Sequence, residues 1–121
     1  MSRAEVHRLI DMRACIDAVE DAFRRHARGE SIAPAVLGTH VDGGGFHMKT
    51  AGMLGQASGG RSMFVAKVNA NFPHNGEHFG LPTIQGLVIL HDGANGLPLA
   101  VLDSISLAQG AGWEERLVAD E

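Results

Sequence analysis

A lysine interrupts the otherwise apolar stretch AKVNANFP at residues 66–73. If this stretch is a strand, the alternation of side chains places Lys67 and Asn69 on one face, and Ala66 and Val68 on the other. A lysine in such a position has two interpretations. On an edge strand a solvated lysine opposes aggregation, whereas in a pocket partial loss of water suits it to act as an acid, a base or a carboxylate anchor. The pattern alone leaves both interpretations open.

A second candidate strand, TIQGLVILH at residues 83–91, also has a polar end. Thr83 and Gln85 share one face of this strand under the same alternation. We expect them to lie beside Lys67 and Asn69 at one end of a sheet. Such a group of polar side chains is typical of a ligand pocket on a sheet, and it is equally typical of a sheet face in contact with solvent.

The histidines raise the question of a metal site. The run DGGG predicts a β-hairpin, and a two-residue turn at Gly43-Gly44 pairs residues whose numbers sum to 87, so that His40 faces His47. No third ligand is fixed by spacing. His74 and His78 have H-x3-H spacing, but they lie in a glycine-containing segment that reads as a loop, where this spacing does not bring both rings to one face. We therefore predict no metal site.

Two helices are predicted before the strands. Ser2 and Glu5 form a capping box, which predicts a short helix over about residues 3–10, and Asp11 caps a second helix. The second helix ends at Gly29. Its apolar residues recur at helical spacing over four turns and are Met12, Cys15, Ile16, Val19, Phe23 and Ala27.

After Pro34 the apolar period changes from that of a helix to that of a strand. This change predicts strands at residues 35–41, 46–52, 62–70, 83–91 and 97–103. The predicted fold class is therefore α+β, with the two N-terminal helices packed on an antiparallel sheet or open half-barrel of about five or six strands.

Composition limits the classes of function. The chain has 121 residues, which is the length of a single domain, and its net charge of −4 argues against nucleic-acid binding. Its single cysteine allows no internal disulfide. The N-terminal residues do not resemble a signal peptide, and no stretch approaches the ~20 apolar residues of a membrane span. We expect a cytoplasmic protein that binds neither nucleic acid nor membrane.

The ordered motifs of the chain resemble a known family. The stretches DMRACIDAVEDAFRRHARGE, GGGFHMKTAGM, FVAKVNANFPHN and GLPTIQGLVILHDGANGLPLAVLDS are similar to the N-terminal part of the ornithine cyclodeaminase/mu-crystallin family. The resemblance runs in order from about residue 3 to residue 105. Its most specific part is the K-V-N run, followed by GLPT and by a hairpin that ends in LD.

The resemblance implies a function and several residue roles. Members of the family are NAD(P)-dependent enzymes that act on amino or imino acids, among them ornithine cyclodeaminases, alanine dehydrogenase-like proteins and ketimine reductases, and mu-crystallin also binds thyroid hormone. By resemblance, Lys67 is the active-site lysine that contacts the substrate carboxylate and handles a proton. Thr83 is the residue that contacts the nicotinamide end of NAD or NADP. The resemblance also implies a homodimer formed through this domain.

One departure from the family pattern concerns the substrate carboxylate. The family commonly has an arginine on the first strand at the position that is Val36 here, and it usually has Met-Pro where this chain has Lys49-Thr50. Val36 and Lys49 share a face under the predicted pairing and lie one step apart diagonally on neighbouring strands. Our hypothesis is that Lys49 replaces the missing arginine charge without its bidentate geometry, and that His47, two residues back on the same face, also lines the pocket.

A second departure concerns the end of the sequence. We expect residues 1–105 to form the substrate-binding and dimerisation domain, and residues 106–121 to be a tail outside the family pattern. The GAG at residues 110–112 is not a dinucleotide-binding fingerprint, so we expect no Rossmann domain here and no tight NAD(P) binding by this chain alone. The chain by itself is then expected to be inactive. The alternatives are a binding module for an amino-acid-like carboxylate and one half of a split enzyme.

Overall fold

Two helices precede a sheet in the sequence, and a third, short helix connects two of its strands. The structure, a computed structural model, describes residues 1–55 and 60–104. The elements are α1 (Arg3–Leu9), α2 (Met12–Ala27), β1 (Ser31–Val41), β2 (Gly44–Met53), β3 (Met63–Asn71), α3 (Asn75–Phe79), β4 (Ile84–Asp92) and β5 (Pro98–Asp103). The α+β class and the two N-terminal helices are confirmed. Within the described ranges, no helix combines the length and the apolar character needed to cross a membrane.

The sheet is an antiparallel meander of five strands in the order β1-β2-β3-β4-β5. Each strand pairs with the next one in the sequence. Because successive side chains alternate between faces, this register determines which residues share a face. The face that carries Lys67 is continued by Lys49, its partner on β2, and by Val88, its partner on β4.

The β1–β2 hairpin turns one residue earlier than predicted. Val41 pairs with Gly44, so the paired numbers sum to 85, and the turn is formed by Asp42 and Gly43. Gly43 has a φ of 82°, a left-handed conformation that glycine adopts without steric cost. The predicted pairing of His40 with His47 is therefore wrong, because His40 pairs with Gly45.

The first strand begins before Pro34 and not after it. The register of β1 against β2 shifts between Ile32 and Ala35, at the position of the proline. Since β1 is an edge strand, a residue without a backbone N–H is tolerated there. The predicted strand therefore extends back to Ser31.

Helix α1 packs closely against the edge of the sheet. The Ser2 side chain accepts a hydrogen bond from the Glu5 N–H, and the Glu5 carboxylate accepts one from the Ser2 N–H, which completes the predicted capping box. The N-terminal amine donates to the Val101 carbonyl on β5. Val6 is 1% exposed and is one of two buried apolar side chains in the part of the chain that the structure describes.

Helix α2 covers less of the sheet than the sequence predicts. Its residues Cys15, Ala22 and Arg25 are half-buried, but no α2 residue is fully buried. The large side chains of the predicted apolar stripe are instead exposed, with Met12 at 73% and Phe23 at 71%. The C-terminal end of the helix meets the sheet, where the Arg25 guanidinium donates to the Leu54 carbonyl and the His26 Nδ1 lies 2.6 Å from the Ser31 Oγ. The predicted helix is confirmed, and its large apolar side chains are exposed in the described part of the chain.

The segment between β3 and β4 contains a helix that the sequence did not predict. Helix α3 begins at Asn75, whose side-chain amide donates to the Pro82 carbonyl at 2.9 Å. It ends at Gly80, which has a φ of 66° and so forms a left-handed C-terminal cap. The rings of His74 and His78 stack with their centroids 5.9 Å apart. The expectation that this loop would separate the two rings is therefore wrong.

Candidate functional site

The two lysines of the chain lie side by side on the adjacent strands β2 and β3. Lys49 and Lys67 are the only lysines in the sequence, and they are direct partners in the β2–β3 ladder. Direct antiparallel partners have Cβ atoms about 4.5–5.5 Å apart, and like charges in this arrangement are destabilising. Neither ammonium group has a carboxylate within 4 Å among residues 1–55 and 60–104. The pair is therefore a concentration of positive charge that the described acidic residues do not compensate.

The arginines of the same chain show the opposite behaviour. Salt bridges to nearby acids are formed by Arg13, Arg24, Arg25, Arg28 and Arg61. Within the described residues, acids thus compensate arginines of helix α2, of its C-terminal cap and of the loop before β3, and none of them compensates a lysine. Cations that the protein does not neutralise are suited to an anionic ligand.

An open cavity of about 210 Å³ lies over the lysine pair. Its lining includes four residues that the sequence analysis singled out, and these are His47, Lys49, Lys67 and Asn69. The rest of the lining is formed by Ala70, Asn71 and Ile84. This volume is below the range of about 300–1,000 Å³ typical of pockets for drug-sized ligands, so it suits a ligand of amino-acid size.

Strands β2 and β3 bring these four side chains together. His47 pairs with Asn69, and Lys49 pairs with Lys67, two residues later on β2 and two residues earlier on β3. Residues two apart on a strand point to the same face, so all four lie on one surface. Lys67 is half-buried whereas Lys49 is exposed, which places Lys67 deeper in the cavity wall and Lys49 nearer to solvent.

The position of Val36 supports the compensation hypothesis for Lys49. Val36 pairs directly with Lys49 in the β1–β2 ladder, which is closer than the diagonal relation expected from the sequence. The positive charge of Lys49 therefore lies next to Val36, the position at which the resemblance implies an arginine in the family. Val36 itself is 68% exposed and contributes no polar group.

Two polar residues expected at the site lie elsewhere. Gln85 pairs with Ala70, which places its side chain on the face opposite to Lys67, so the predicted meeting of these two residues is wrong. Thr83 precedes β4 and is exposed, and its carbonyl accepts a hydrogen bond from the Phe72 N–H at 2.8 Å. It is the neighbour of Ile84, a lining residue, but it does not line the cavity itself.

Asn69 has a partner that the sequence analysis missed. The Ser104 hydroxyl donates to the Asn69 Oδ1 at 2.6 Å. Gly86, the partner of Asn69 on β4, lies against this contact. A glycine inside a strand pattern indicates that another group approaches the backbone closely there. Gly86 is therefore a feature of the sequence from which a contact at this position could have been predicted. Nothing in the sequence points to Ser104.

Three of the histidines border another cavity of the sheet. His40, His47 and His74 border a second open cavity of about 370 Å³ beside the glycine turn. The part of the chain that the structure describes has no group of three or more His, Cys, Asp or Glu side chains placed to hold a metal ion. His47 borders both cavities, so its position is compatible with a role in ligand binding.

Comparison with known proteins identifies the family. Residues 1–110 match the sequence pattern of the ornithine cyclodeaminase/mu-crystallin family. The chain belongs to this family. It is 34% identical over 114 residues to an alanine dehydrogenase of Archaeoglobus fulgidus, and that alignment covers 92% of this chain and 33% of the relative. The family resemblance inferred from the sequence is confirmed.

Solved structures of family members share this fold. An archaeal alanine dehydrogenase dimer with bound NAD aligns with a TM-score of 0.74 at 32% identity, over 86% of this chain and 30% of that one. The Thermococcus litoralis Δ1-pyrroline-2-carboxylate reductase, in complex with NADH and L-proline, aligns with a TM-score of 0.75 at 25% identity, over 89% of this chain and 32% of that one. The chain thus spans about a third of the length of these relatives.

The described residues do not fit a dinucleotide. A Rossmann-type site needs parallel strands joined by a helical crossover, with a glycine-rich turn at the helix N-terminus. The strand pairs in residues 1–55 and 60–104 are all antiparallel. The GAG at residues 110–112 and the predicted tail at residues 106–121 lie outside the described residues. Exposed Thr83 offers at most an edge contact to a cofactor held elsewhere.

Proposed function

We propose that this domain holds the carboxylate of an amino or imino acid between Lys67 and Lys49, as the substrate-binding part of an NAD(P)-dependent enzyme. The observation that supports the proposal best is the cross-strand lysine pair, which lines a cavity and has no acidic partner among the described residues. A carboxylate between the two ammonium groups would relieve their repulsion and form charge-assisted hydrogen bonds. The ligand thus supplies the charge that the described residues lack.

The four cavity residues take different roles in this proposal. Half-buried Lys67 holds the carboxylate and donates or accepts a proton at the reacting nitrogen or carbon. Exposed Lys49 supplies the second positive charge in place of the arginine expected at Val36. His47 and Asn69 add hydrogen bonds beside this pair. Together they orient a small acid against the sheet, which is the contribution that positioning makes to catalysis.

The relatives favour a redox reaction at the carbon next to the carboxylate. They are an alanine dehydrogenase and a pyrroline carboxylate reductase, and both names imply interconversion of an amino acid with an imino or oxo acid. We infer the same class of reaction here. NAD or NADP supplies the hydride chemistry when bound, and Thr83 is the contact that we assign to its edge. We also infer a homodimer, as in the archaeal alanine dehydrogenase, and a cytoplasmic location.

A second candidate function is a ligand-binding module without turnover of its own. It is favoured by the fact that the four polar side chains of the cavity, His47, Lys49, Lys67 and Asn69, all come from this one domain. The nucleotide-binding part would then be unnecessary for binding, although it is needed for hydride transfer. A split enzyme, with that part on another polypeptide, combines the two candidates.

Ligand binding to the chain and to a Lys67→Ala variant tests the proposal. We expect L-alanine, L-proline or pyruvate to bind in isothermal titration calorimetry, and Lys67→Ala to weaken binding at least about tenfold, since hydrogen bonds to charged groups contribute about 1.5–3 kcal/mol. Arg13→Ala, which removes one exposed cation from α2, is the matched control. Affinities that are equal in the chain and in Lys67→Ala would contradict the proposal. Oxidation of NADH only after addition of a nucleotide-binding partner would favour the split enzyme.

A further inference from the structure

A buried serine links three strands behind the cavity. Ser104 follows β5 and is 0% exposed. Its backbone N–H donates to the Gly86 carbonyl on β4 at 3.1 Å, and its hydroxyl donates to the Asn69 Oδ1 on β3 at 2.6 Å. Ser104 is not part of the cavity lining, whereas Asn69 is. The contact therefore joins a cavity residue to the interior.

The glycine beside this contact shows how closely the groups are packed. A Cβ atom on Gly86 would lie 2.6 Å from the Ser104 Oγ and would also overlap the Asn69 Oδ1 and the Val68 carbonyl. Only a residue without a side chain allows the hydroxyl and the amide to meet there. The arrangement thus depends on three residues that are far apart in the sequence. They are Asn69 on β3, Gly86 on β4 and Ser104 directly after β5.

The hydrogen bond determines which end of the Asn69 amide is free. An asparagine amide has one acceptor oxygen and an NH2 group with two donors. The oxygen accepts from Ser104, so the NH2 group is left for the cavity. An NH2 group donates to carboxylate or carbonyl oxygens, and it cannot accept from an ammonium group.

We propose that Ser104 is a positioning residue that fixes the Asn69 amide with its NH2 group toward the cavity, so that Asn69 donates to an oxygen of the ligand. The proposal rests on the proposed function, and it deepens it by assigning the ligand atom at this point. The bound ligand therefore places a carboxylate or carbonyl oxygen next to Asn69, and its ammonium group lies away from Asn69. Ser104 acts on the ligand only through Asn69.

A double-mutant cycle with L-proline or pyruvate as the probe tests this assignment. We expect Ser104→Ala to weaken binding about three- to tenfold, the effect of one hydrogen bond that is no longer held in place. In an Asn69→Ala background, Ser104→Ala should cause no further loss, because there is no amide left to orient. The matched control is Ser62→Ala, which removes a hydroxyl that accepts from the Gly55 N–H at the other end of β3.

Two outcomes of the cycle would overturn the proposal. The first is a Ser104→Ala variant that binds the probe with wild-type affinity. The second is a loss of affinity on Ser104→Ala that is equally large in the wild type and in the Asn69→Ala background, because Ser104 would then act on the structure and not through Asn69. If probe binding is itself insensitive to Lys67→Ala, the proposed function fails first, and the assignment of the ligand atom fails with it. The two failures are therefore distinguishable.

A measurement on the unmodified chain keeps the orientation testable if Ser104→Ala does not fold. In NMR spectra, the side-chain amide protons of Asn69 should show nuclear Overhauser effects to cavity residues such as Lys67 or Ile84. Strong effects to the Ser104 β protons instead would show that the NH2 group faces the serine, and they would overturn the orientation without any ligand.

Discussion

Two regions of the β2–β3 ladder differ in how their polar groups are partnered. At the end where Met53 pairs with Met63, the neighbouring polar groups find partners inside the protein. The Arg61 guanidinium lies 3.2 Å from the Asp92 carboxylate, and the Ser62 hydroxyl accepts from the Gly55 N–H at 2.7 Å. In the middle of the ladder, beside the cavity, Lys49 and Lys67 pair with each other and no acid compensates them within the described part of the chain.

On the proposed function, this difference separates a charge that stabilises the fold from a charge that binds a ligand. Buried Asp92 receives its counter-ion from the protein, because a buried carboxylate without one is costly. The lysine pair has no such partner among the described residues, and it lies at a cavity of amino-acid size. The same sheet therefore neutralises its charge at one end of this ladder and presents positive charge at the middle.

The largest effect on stability is expected for Gly86→Ala behind the cavity. The added methyl group has no room between the Asn69 amide, the Ser104 hydroxyl and the Val68 carbonyl. We expect a loss of about 2–3 kcal/mol in the free energy of unfolding, in the range of overpacked interiors. Chemical denaturation measures it, and Gly76→Ala, where a Cβ meets nothing within 4 Å, is the control. Equal stability of both variants would refute the close packing behind Asn69.

A smaller effect is expected when the lysine pair is reduced to one lysine. Lys49→Met should weaken binding of pyruvate or L-proline about three- to tenfold, less than Lys67→Ala, because exposed Lys49 is screened by water. Arg13→Met removes an exposed cation of α2 and should leave the affinity unchanged. Titration calorimetry of Lys67→Ala, Lys49→Met and Arg13→Met measures these differences. An unchanged affinity in Lys49→Met would contradict the role given to this lysine.

The smallest expected effect is the pH dependence of stability that arises from Glu5, whose carboxylate is hydrogen-bonded within the protein. The Ser2 N–H donates to the Glu5 carboxylate at 2.7 Å and holds the pKa of Glu5 below its usual value. A lowered pKa in the folded state stabilises the fold above the pKa of the unfolded chain, and this contribution is lost as pH falls through the folded value. Between about pH 5 and pH 3, the melting temperature should therefore fall slightly more for the wild type than for Glu5→Gln. Identical pH profiles would exclude the contribution.

Local patterns in the sequence predict much of this molecule. The capping residues Ser2 and Asp11 place the starts of both N-terminal helices. Alternation within one strand places Lys67 beside Asn69, and the β1–β2 hairpin gives His47 and Lys49 the same face. These features depend on residues close together in the chain, so the sequence suffices for them.

Relations between distant segments could not be predicted. Gln85 was assigned to the wrong face because the register of β3 and β4 depends on the connection at residues 72–83, which contains an unpredicted helix. Ser104 meets Asn69 across 35 positions of sequence. The apolar stripe of α2, which includes Phe23, correctly predicts a helix but not what covers that helix, because periodicity describes a face and not its partner.

The side-chain NMR signals of the two lysines test the central claim most directly. Because Lys49 and Lys67 are the only lysines, selective labelling with 15N-lysine gives two ammonium signals, which Lys49→Met assigns. Titration with pyruvate or L-proline should shift both signals with one common dissociation constant, and the shift should be larger for Lys67. If both signals stay unchanged while the ligand is added to millimolar concentration, the lysine pair is not a carboxylate site.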